Sequence, residues 1–82
     1  MFEAEIKISL KKTVADPQGL TIKHALESLD FKGLNEVRMG KLVRIRLEAQ
    51  DQAQAQDEVK QMCEKLLANQ IIEDFSFKVE QL

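Results

Sequence analysis

Two side chains in this sequence, a histidine and a cysteine, belong to the types that most often bind metal or form a nucleophile–base pair, and each stands alone. His24 is the one histidine and Cys63 the one cysteine among 82 residues. A metal site or a catalytic dyad requires a second ligand or a base at suitable spacing, which neither residue has. Helical periodicity turns His24 toward solvent and sets Cys63 in an apolar stripe, where a thiol packs rather than reacts. The sequence therefore predicts no catalytic residue and no metal ligand.

Charged residues cluster at two further places. The carboxylates of Glu73 and Asp74 are adjacent in a strand-like segment, so they point to opposite faces and cannot act as a paired acid and base. Four basic residues lie within nine positions: Arg38, Lys41, Arg44 and Arg46. The three arginines share one parity, which is consistent with a solvated or self-associating sheet face. We favour that interpretation over the alternative, a surface that contacts an acidic partner or a phosphate.

Gly19 lies in the first turn of a predicted helix, where glycine weakens helical structure. Asp16 suits the N-cap of that helix and Pro17 its first position. A glycine at this point indicates either relief of crowding after Pro17 or close approach of another backbone. In the second case, we expect valine at position 19 to disturb partner binding more than folding.

Length and composition bound the class of protein. Eighty-two residues suffice for one domain, 1–82, and 44% hydrophobic with 32% charged residues is typical of a globular chain. Twelve basic and fourteen acidic residues leave a net charge of −2, which disfavours nucleic-acid binding. No apolar run has the length of a membrane span, and the N-terminus lacks a signal-peptide pattern. We therefore expect no membrane association and a cytoplasmic location.

Hydrophobic periodicity predicts the elements of the first half of the chain. Apolar and polar residues alternate from Phe2 to Leu10, as in a half-buried strand. The helix after Asp16 ends near Asp30 and places four apolar residues on one face: Ile22, Ala25, Leu26 and Leu29. Alternation from Leu34 to Glu48 predicts either a hairpin turning at Gly40 or one strand bent there by a bulge, and we favour two strands.

The second half is predicted to contain one helix and one strand. Asp51 suits an N-cap, and the helix runs to about Ala68, where Asn69 suits a left-handed C-cap. Its predicted core face is Ala55, Val59, Met62, Cys63, Leu66 and Leu67. The final strand places four apolar residues on one side: Ile71, Phe75, Phe77 and Val79.

The resulting order β-α-β-β-α-β predicts an α+β two-layer sandwich of ferredoxin-like build, with two helices on one face of an antiparallel sheet. A domain this small buries a limited share of its surface, and its edge strands need protection. We therefore expect a homodimer or homotetramer.

Three segments of the sequence resemble a known family. They are Asp16-Pro17-Gln18-Gly19, Arg38-Met39-Gly40-Lys41, and Met62 to Asn69 followed by Ile72-Glu73-Asp74-Phe75. In this order and spacing they resemble the PurS family, the small subunit of formylglycinamidine ribonucleotide synthase, from about Ile6 to Val79. The sequence departs from the family pattern at Lys12-Thr13, where Pro-Gly is common, and at Gln70, where proline is common.

The resemblance implies a non-catalytic adaptor that joins a glutaminase subunit (PurQ) to an ATP-dependent synthetase subunit (PurL) in purine biosynthesis. The assembled enzyme would convert formylglycinamide ribonucleotide, glutamine and ATP to formylglycinamidine ribonucleotide. ATP, Mg and glutamine would be used by the partner subunits, and this subunit would bind no cofactor. The ten candidate subunit-interface residues all lie in the segments quoted above: Asp16, Pro17, Gln18, Gly19, Arg38, Gly40, Lys41, Asn69, Glu73 and Asp74.

Two functions of other classes stay open on the residues alone. A small-molecule-sensing regulatory domain of ferredoxin-like build would show ligand-dependent thermal stabilisation. A stand-alone enzyme would need a base–nucleophile pair, and the sequence supplies no such pair.

Overall fold

The computed structural model describes residues 1–82, and its elements alternate between strand and helix. In chain order they are β1 (Phe2–Leu10), α1 (Pro17–Ser28), β2 (Gly40–Leu47), α2 (Gln52–Met62), a π-helical turn (Cys63–Leu67) and β3 (Glu73–Gln81). The strands form one antiparallel sheet in the order β2-β1-β3. The α+β class and the antiparallel sheet predicted from the sequence are confirmed. Neither helix has the length and apolarity needed to cross a membrane.

The core lies between the sheet and α2. The inward side chains of β1 are buried because the strand is central and its alternate residues face the helix. The register places Ile6 between Val43 of β2 and Phe77 of β3. Val59 of α2 and Cys63 of the π-helical turn are fully buried against this face. The contacts of α2 with the sheet are mainly with β3 and β1.

A π-helical turn changes the register at the end of α2. The Ala68 N–H donates to the Cys63 carbonyl at 3.0 Å, a bond that spans five residues instead of four. This wider turn brings Ala68 into the core and leaves Leu66 83% exposed. The prediction that Leu66 is a core residue is therefore wrong.

The segment before β2 differs from the predicted second pair of strands. Only Gly40–Leu47 forms a strand, and residues 31–39 form neither helix nor strand. The chain therefore neither turns as a hairpin nor bulges at Gly40; β2 begins there, and the order is β-α-β-α-β. The Met39 N–H, which a strand would use in a ladder, instead donates to the Asp16 carboxylate.

Helix α1 lies outside the helix–sheet core, whereas the sequence placed both helices on the sheet. No residue of α1 belongs to the core cluster or packs against it. The molecule measures 51 × 28 × 15 Å, and its radius of gyration is 16.3 Å. A compact domain of this length would have a radius of gyration of about 12 Å. We call residues 16–39, which include α1, the arm.

Candidate functional site

The ten candidate interface residues gather mainly at one end of the sheet, which we call the junction. Here β1 ends and β2 and β3 begin, so that Ser9 lies opposite both Gly40 and Asp74. A cleft of about 180 Å³ opens at this end, and five of the ten candidates line it: Asp16, Gln18, Gly40, Lys41 and Glu73. The sequence segments that carry the family resemblance are thus neighbours in space.

Asp16 is the central side chain of the junction. One carboxylate oxygen caps α1 by accepting the Gly19 N–H at 2.9 Å, and the other accepts the Met39 N–H at 2.7 Å. The hydrogen bond from Met39, followed by that from Gly19, lowers the pKa of this buried carboxyl below its ordinary value, although burial opposes the shift. The N-cap predicted at Asp16 is confirmed. Its second carboxylate oxygen joins the first residue of the arm to the last, Met39.

Gly19 is required by the chain's own packing. A Cβ at this position would overlap the Val37 carbonyl oxygen and lie 3.0 Å from the Asp16 carboxylate. The backbone that approaches Gly19 therefore belongs to the same protein. The expectation that valine would disturb folding little is wrong, because a side chain has no space here.

The Arg38 side chain binds the loop between β1 and α1. Its Nη2 donates to the Lys11 carbonyl at 2.9 Å and to the Val14 carbonyl at 2.8 Å. It therefore does not belong to the basic sheet face that was predicted from its parity. On that open face, Arg46 pairs with Glu3 at 2.9 Å.

The two adjacent carboxylates have different partners. Glu73 accepts the Asn69 N–H at 2.8 Å, and its other oxygen lies 3.7 Å from Lys41 Nζ. Asp74 pairs with Lys11 Nζ at 3.0 Å. The two side chains thus contact different groups, as expected for neighbours on a strand.

The left-handed conformation predicted for Asn69 is wrong. The only non-glycine residue with positive φ is Asp30, at 70°. The Asn69 side chain instead accepts the Ile71 N–H at 3.1 Å and shapes the turn before β3. Asn69 thus supports the turn by its side chain, as asparagine commonly does in turns.

The candidates divide by exposure into supports and accessible residues. Asp16 and Gly19 are buried, and Arg38 and Glu73 are half-buried, so these four hold the junction together. The accessible candidates are Pro17, Gln18, Gly40, Lys41, Asn69 and Asp74. A second cleft of about 330 Å³, between α1 and residues 35–38, is lined by Pro17 and the exposed Leu20. The junction can therefore present charged and apolar groups on a rigid frame.

The two residues that were considered for catalysis or metal binding, His24 and Cys63, lie away from the junction. His24 is exposed on α1, and Cys63 is buried in the core, where burial raises the pKa of its thiol. Both placements agree with the prediction from periodicity. Two contacts were not predicted from the sequence: the Val37 carbonyl against Gly19, and the Met39 N–H that donates to Asp16. Both are backbone groups, which every residue carries, so no residue type indicates them.

A family model described as "PurS: Phosphoribosylformylglycinamidine (FGAM) synthase" matches residues 3–81. The chain belongs to the PurS family. The PurS subunit of this synthase from Bacillus subtilis is 42% identical over 82 residues, which are 100% of this chain and 96% of the relative. That from Methanocaldococcus jannaschii is also 42% identical, over 100% of this chain and 99% of the relative. The resemblance found in the sequence is confirmed.

Solved PurS structures have the same fold. The crystal structure of Methanocaldococcus jannaschii PurS is similar with a TM-score of 0.90 and 41% identity, covering 100% of this chain and 99% of that one. A chain in the structure of PurLQS from Thermotoga maritima is similar with a TM-score of 0.88 and 29% identity, covering 96% of each. The fold is therefore that of PurS proteins along its whole length.

Proposed function

We propose that this protein is the PurS subunit of phosphoribosylformylglycinamidine synthase and works as a non-catalytic adaptor in purine biosynthesis. The observation that carries the proposal is the match of nearly the whole chain to PurS, together with its similarity to a chain of the PurLQS structure. In this proposal the chain joins a PurL synthetase and a PurQ glutaminase and also associates with further copies of itself. The complex works in the cytoplasm, where its partners use ATP, Mg and glutamine.

An adaptor has a definite physical task in such an enzyme. Ammonia released from glutamine is lost to bulk water, or protonated and made non-nucleophilic, unless the two active sites are held in register. A small rigid subunit contributes by fixing that geometry, since effective concentration depends on orientation and proximity. The hydrogen bonds of Asp16 and Arg38 support this role, because they brace the arm and the β1–α1 loop against movement.

The test is complex formation with purified synthetase and glutaminase. We expect the three proteins to co-elute in size-exclusion chromatography in the presence of glutamine and nucleotide. Lys41→Glu should weaken co-elution because it reverses a charge that is 68% exposed at the junction. Lys78→Glu is the matched control, since its side chain is 65% exposed on the open sheet face. Failure of the wild-type protein to co-elute under any of these conditions would refute the adaptor function.

A further inference from the structure

The two most exposed of the large hydrophobic side chains lie close together in the chain, between α2 and β3. Leu66, on the π-helical turn, is 83% exposed, and Ile71, in the turn before β3, is 85% exposed. Ile72 is 38% exposed beside it. Single exposed aliphatic residues are common, but a group of them with a polar rim marks an interaction surface. We call Leu66, Ile71 and Ile72 the apolar corner.

The π-helical turn is the reason that Leu66 lies in water. In a regular α-helix the spacing from Val59 and Cys63 would place Leu66 on the core face. The wider turn instead puts Ala68 there, with its N–H bound to the Cys63 carbonyl at 3.0 Å. Burying an alanine and exposing a leucine opposes the hydrophobic effect unless another molecule covers the leucine. Single π-turns are also frequent at functional sites.

Hydrogen bonds that converge on Asn69 hold Ile71 outward. The Asn69 side-chain oxygen accepts the Ile71 N–H at 3.1 Å, and the Asn69 carbonyl accepts the N–H groups of Ile72 at 3.0 Å and Glu73 at 2.7 Å. The Asn69 N–H in turn donates to the Glu73 carboxylate at 2.8 Å. A turn bound in this way cannot fold Ile71 back onto the protein. Because the side chain is already positioned, its binding to a partner would lose little conformational entropy.

Further hydrogen bonds connect the apolar corner to the junction. The Gln70 side chain donates to the Glu64 carbonyl at 3.2 Å, which joins the turn before β3 to the π-helical turn. The Lys11 N–H donates to the Ile72 carbonyl at 2.8 Å. Glu73, the next residue along the chain, lines the junction cleft. The apolar corner therefore continues the surface of the junction.

Charged and polar side chains surround the apolar corner. Glu64, Lys65 and Gln70 are exposed, and Lys11 pairs with Asp74 at 3.0 Å. A small apolar centre with a charged rim is typical of interfaces between separately folded proteins, whereas obligate homodimer interfaces are larger and more apolar. The composition therefore favours a different protein over a second copy of this chain.

The proposed function indicates which partner needs the longest-lived contact. Ammonia released before the synthetase is attached would be lost to water, so the adaptor has to remain on the subunit that uses ammonia. Rigid aliphatic side chains suit such a contact, because side chains that fill a pocket at the centre of an interface mainly slow dissociation.

We propose that the apolar corner inserts into an apolar pocket of the synthetase, with Leu66 and Ile71 as the anchors and Asn69 as the residue that positions Ile71. This inference rests on the proposed function, and it adds to the junction residues a contact surface that the family resemblance did not assign.

The first test measures the affinity of variants for the purified synthetase by isothermal titration calorimetry. Leu66→Ala and Ile71→Ala should each weaken binding about tenfold or more, as loss of an interface anchor commonly does. Their melting temperatures should match the wild type, because both side chains are exposed in the free protein. Leu82→Ala is the matched control, since Leu82 is 61% exposed just beyond the far end of β3. Wild-type affinity in both corner variants would overturn the proposal.

The second test identifies the protein that covers the apolar corner. Ile71→Cys and, as the control, Leu82→Cys are labelled with a benzophenone maleimide, while the buried Cys63 stays unlabelled. Irradiation of the assembled complex should link the label at position 71 to the synthetase, with much less linkage from position 82. Linkage mainly to the glutaminase or to a second copy of this chain would overturn the proposal. The three proteins still co-elute in each of these failures, so the adaptor function would stand; a wild-type protein that does not co-elute would refute both.

Discussion

Asp16 joins two parts of the chain that lie 23 residues apart, because its two carboxylate oxygens accept different backbone N–H groups. The bond from Gly19 caps the N-terminus of α1, and the bond from Met39 holds the C-terminal end of the arm. A short acidic side chain with two acceptors performs both tasks, whereas most N-cap residues perform the first alone. Asp16 of the family segment thus links the start of α1 to the end of the arm.

The ionisation of Asp16 should make its contribution to stability pH-dependent. Hydrogen bonds from Met39 and Gly19 lower the pKa of Asp16 in the folded protein. Its contribution is therefore complete above the unfolded pKa of about 4, and it is lost as the pH falls through the lower folded value. We expect Asp16→Asn to lower the urea midpoint at pH 7 and to approach the wild type in acid. Asp57→Asn, on the exposed face of α2, is the control. A difference from the wild type that stays constant with pH would contradict this explanation.

Gly19→Ala should destabilise the protein although alanine is the better helix former. The gain in helix propensity is about 1 kcal/mol at most. Overlap of the new methyl group with the Val37 carbonyl should cost about 1–3 kcal/mol, as overpacking commonly does. Urea denaturation of Gly19→Ala beside Gln18→Ala, an exposed neighbour, measures the difference. Equal stability of the two variants would mean that the arm can shift to admit a side chain.

Cys63 should be unreactive in the folded protein. It is fully buried, and the same burial raises the pKa of its thiol, so little thiolate is present or accessible near pH 7. A thiol reagent such as dithionitrobenzoate should label the native protein at least tenfold more slowly than the protein in urea. Rapid labelling under native conditions would show that α2 opens from the sheet.

The helices and strands were predictable where local pattern and local contacts agree. The alternation of Phe2 to Leu10 predicted β1, and the caps predicted at Asp16 and Asp51 are both present, the latter accepting the Gln54 N–H at 2.8 Å. Periodicity indicates that a helix has an apolar face but not what that face contacts, so the position of α1 was not predictable. The π-turn also escaped prediction, because Leu66 and Ala68 both suit a core position and packing alone decides between them.

Arg38 connects the elements around the junction, and lysine should not replace it. Arg38 reaches the carbonyls of Lys11 and Val14 with a planar group, whereas a lysine ammonium is a shorter point donor. We expect Arg38→Lys to lose about 1.5–3 kcal/mol of unfolding free energy, as a hydrogen bond from a charged group commonly contributes. Limited proteolysis should show faster cleavage between residues 11 and 16. Arg44→Lys, on the open sheet face, should change neither quantity; if Arg38→Lys matches it, the bonds of Arg38 contribute nothing to the loop.

The molecule as a whole is elongated, which is unusual for a monomeric domain of this length. The molecule is 51 Å long and its arm lies outside the core, so it exposes more surface than a compact monomer would. The exposed residues of the junction, among them Lys41 and Asp74, are positioned by its buried residues. Membership of the PurS family and this elongated architecture support the proposed positioning role.

The most direct test of the adaptor function compares two sources of nitrogen for the same synthetase. Purified synthetase and glutaminase are assayed for formylglycinamidine ribonucleotide with glutamine or with ammonium at high pH, with and without this protein. We expect its omission to reduce the glutamine-dependent rate at least tenfold while the ammonium-dependent rate changes little, because free ammonia needs no coupling of the two sites. An unchanged glutamine-dependent rate without this protein would contradict the adaptor function.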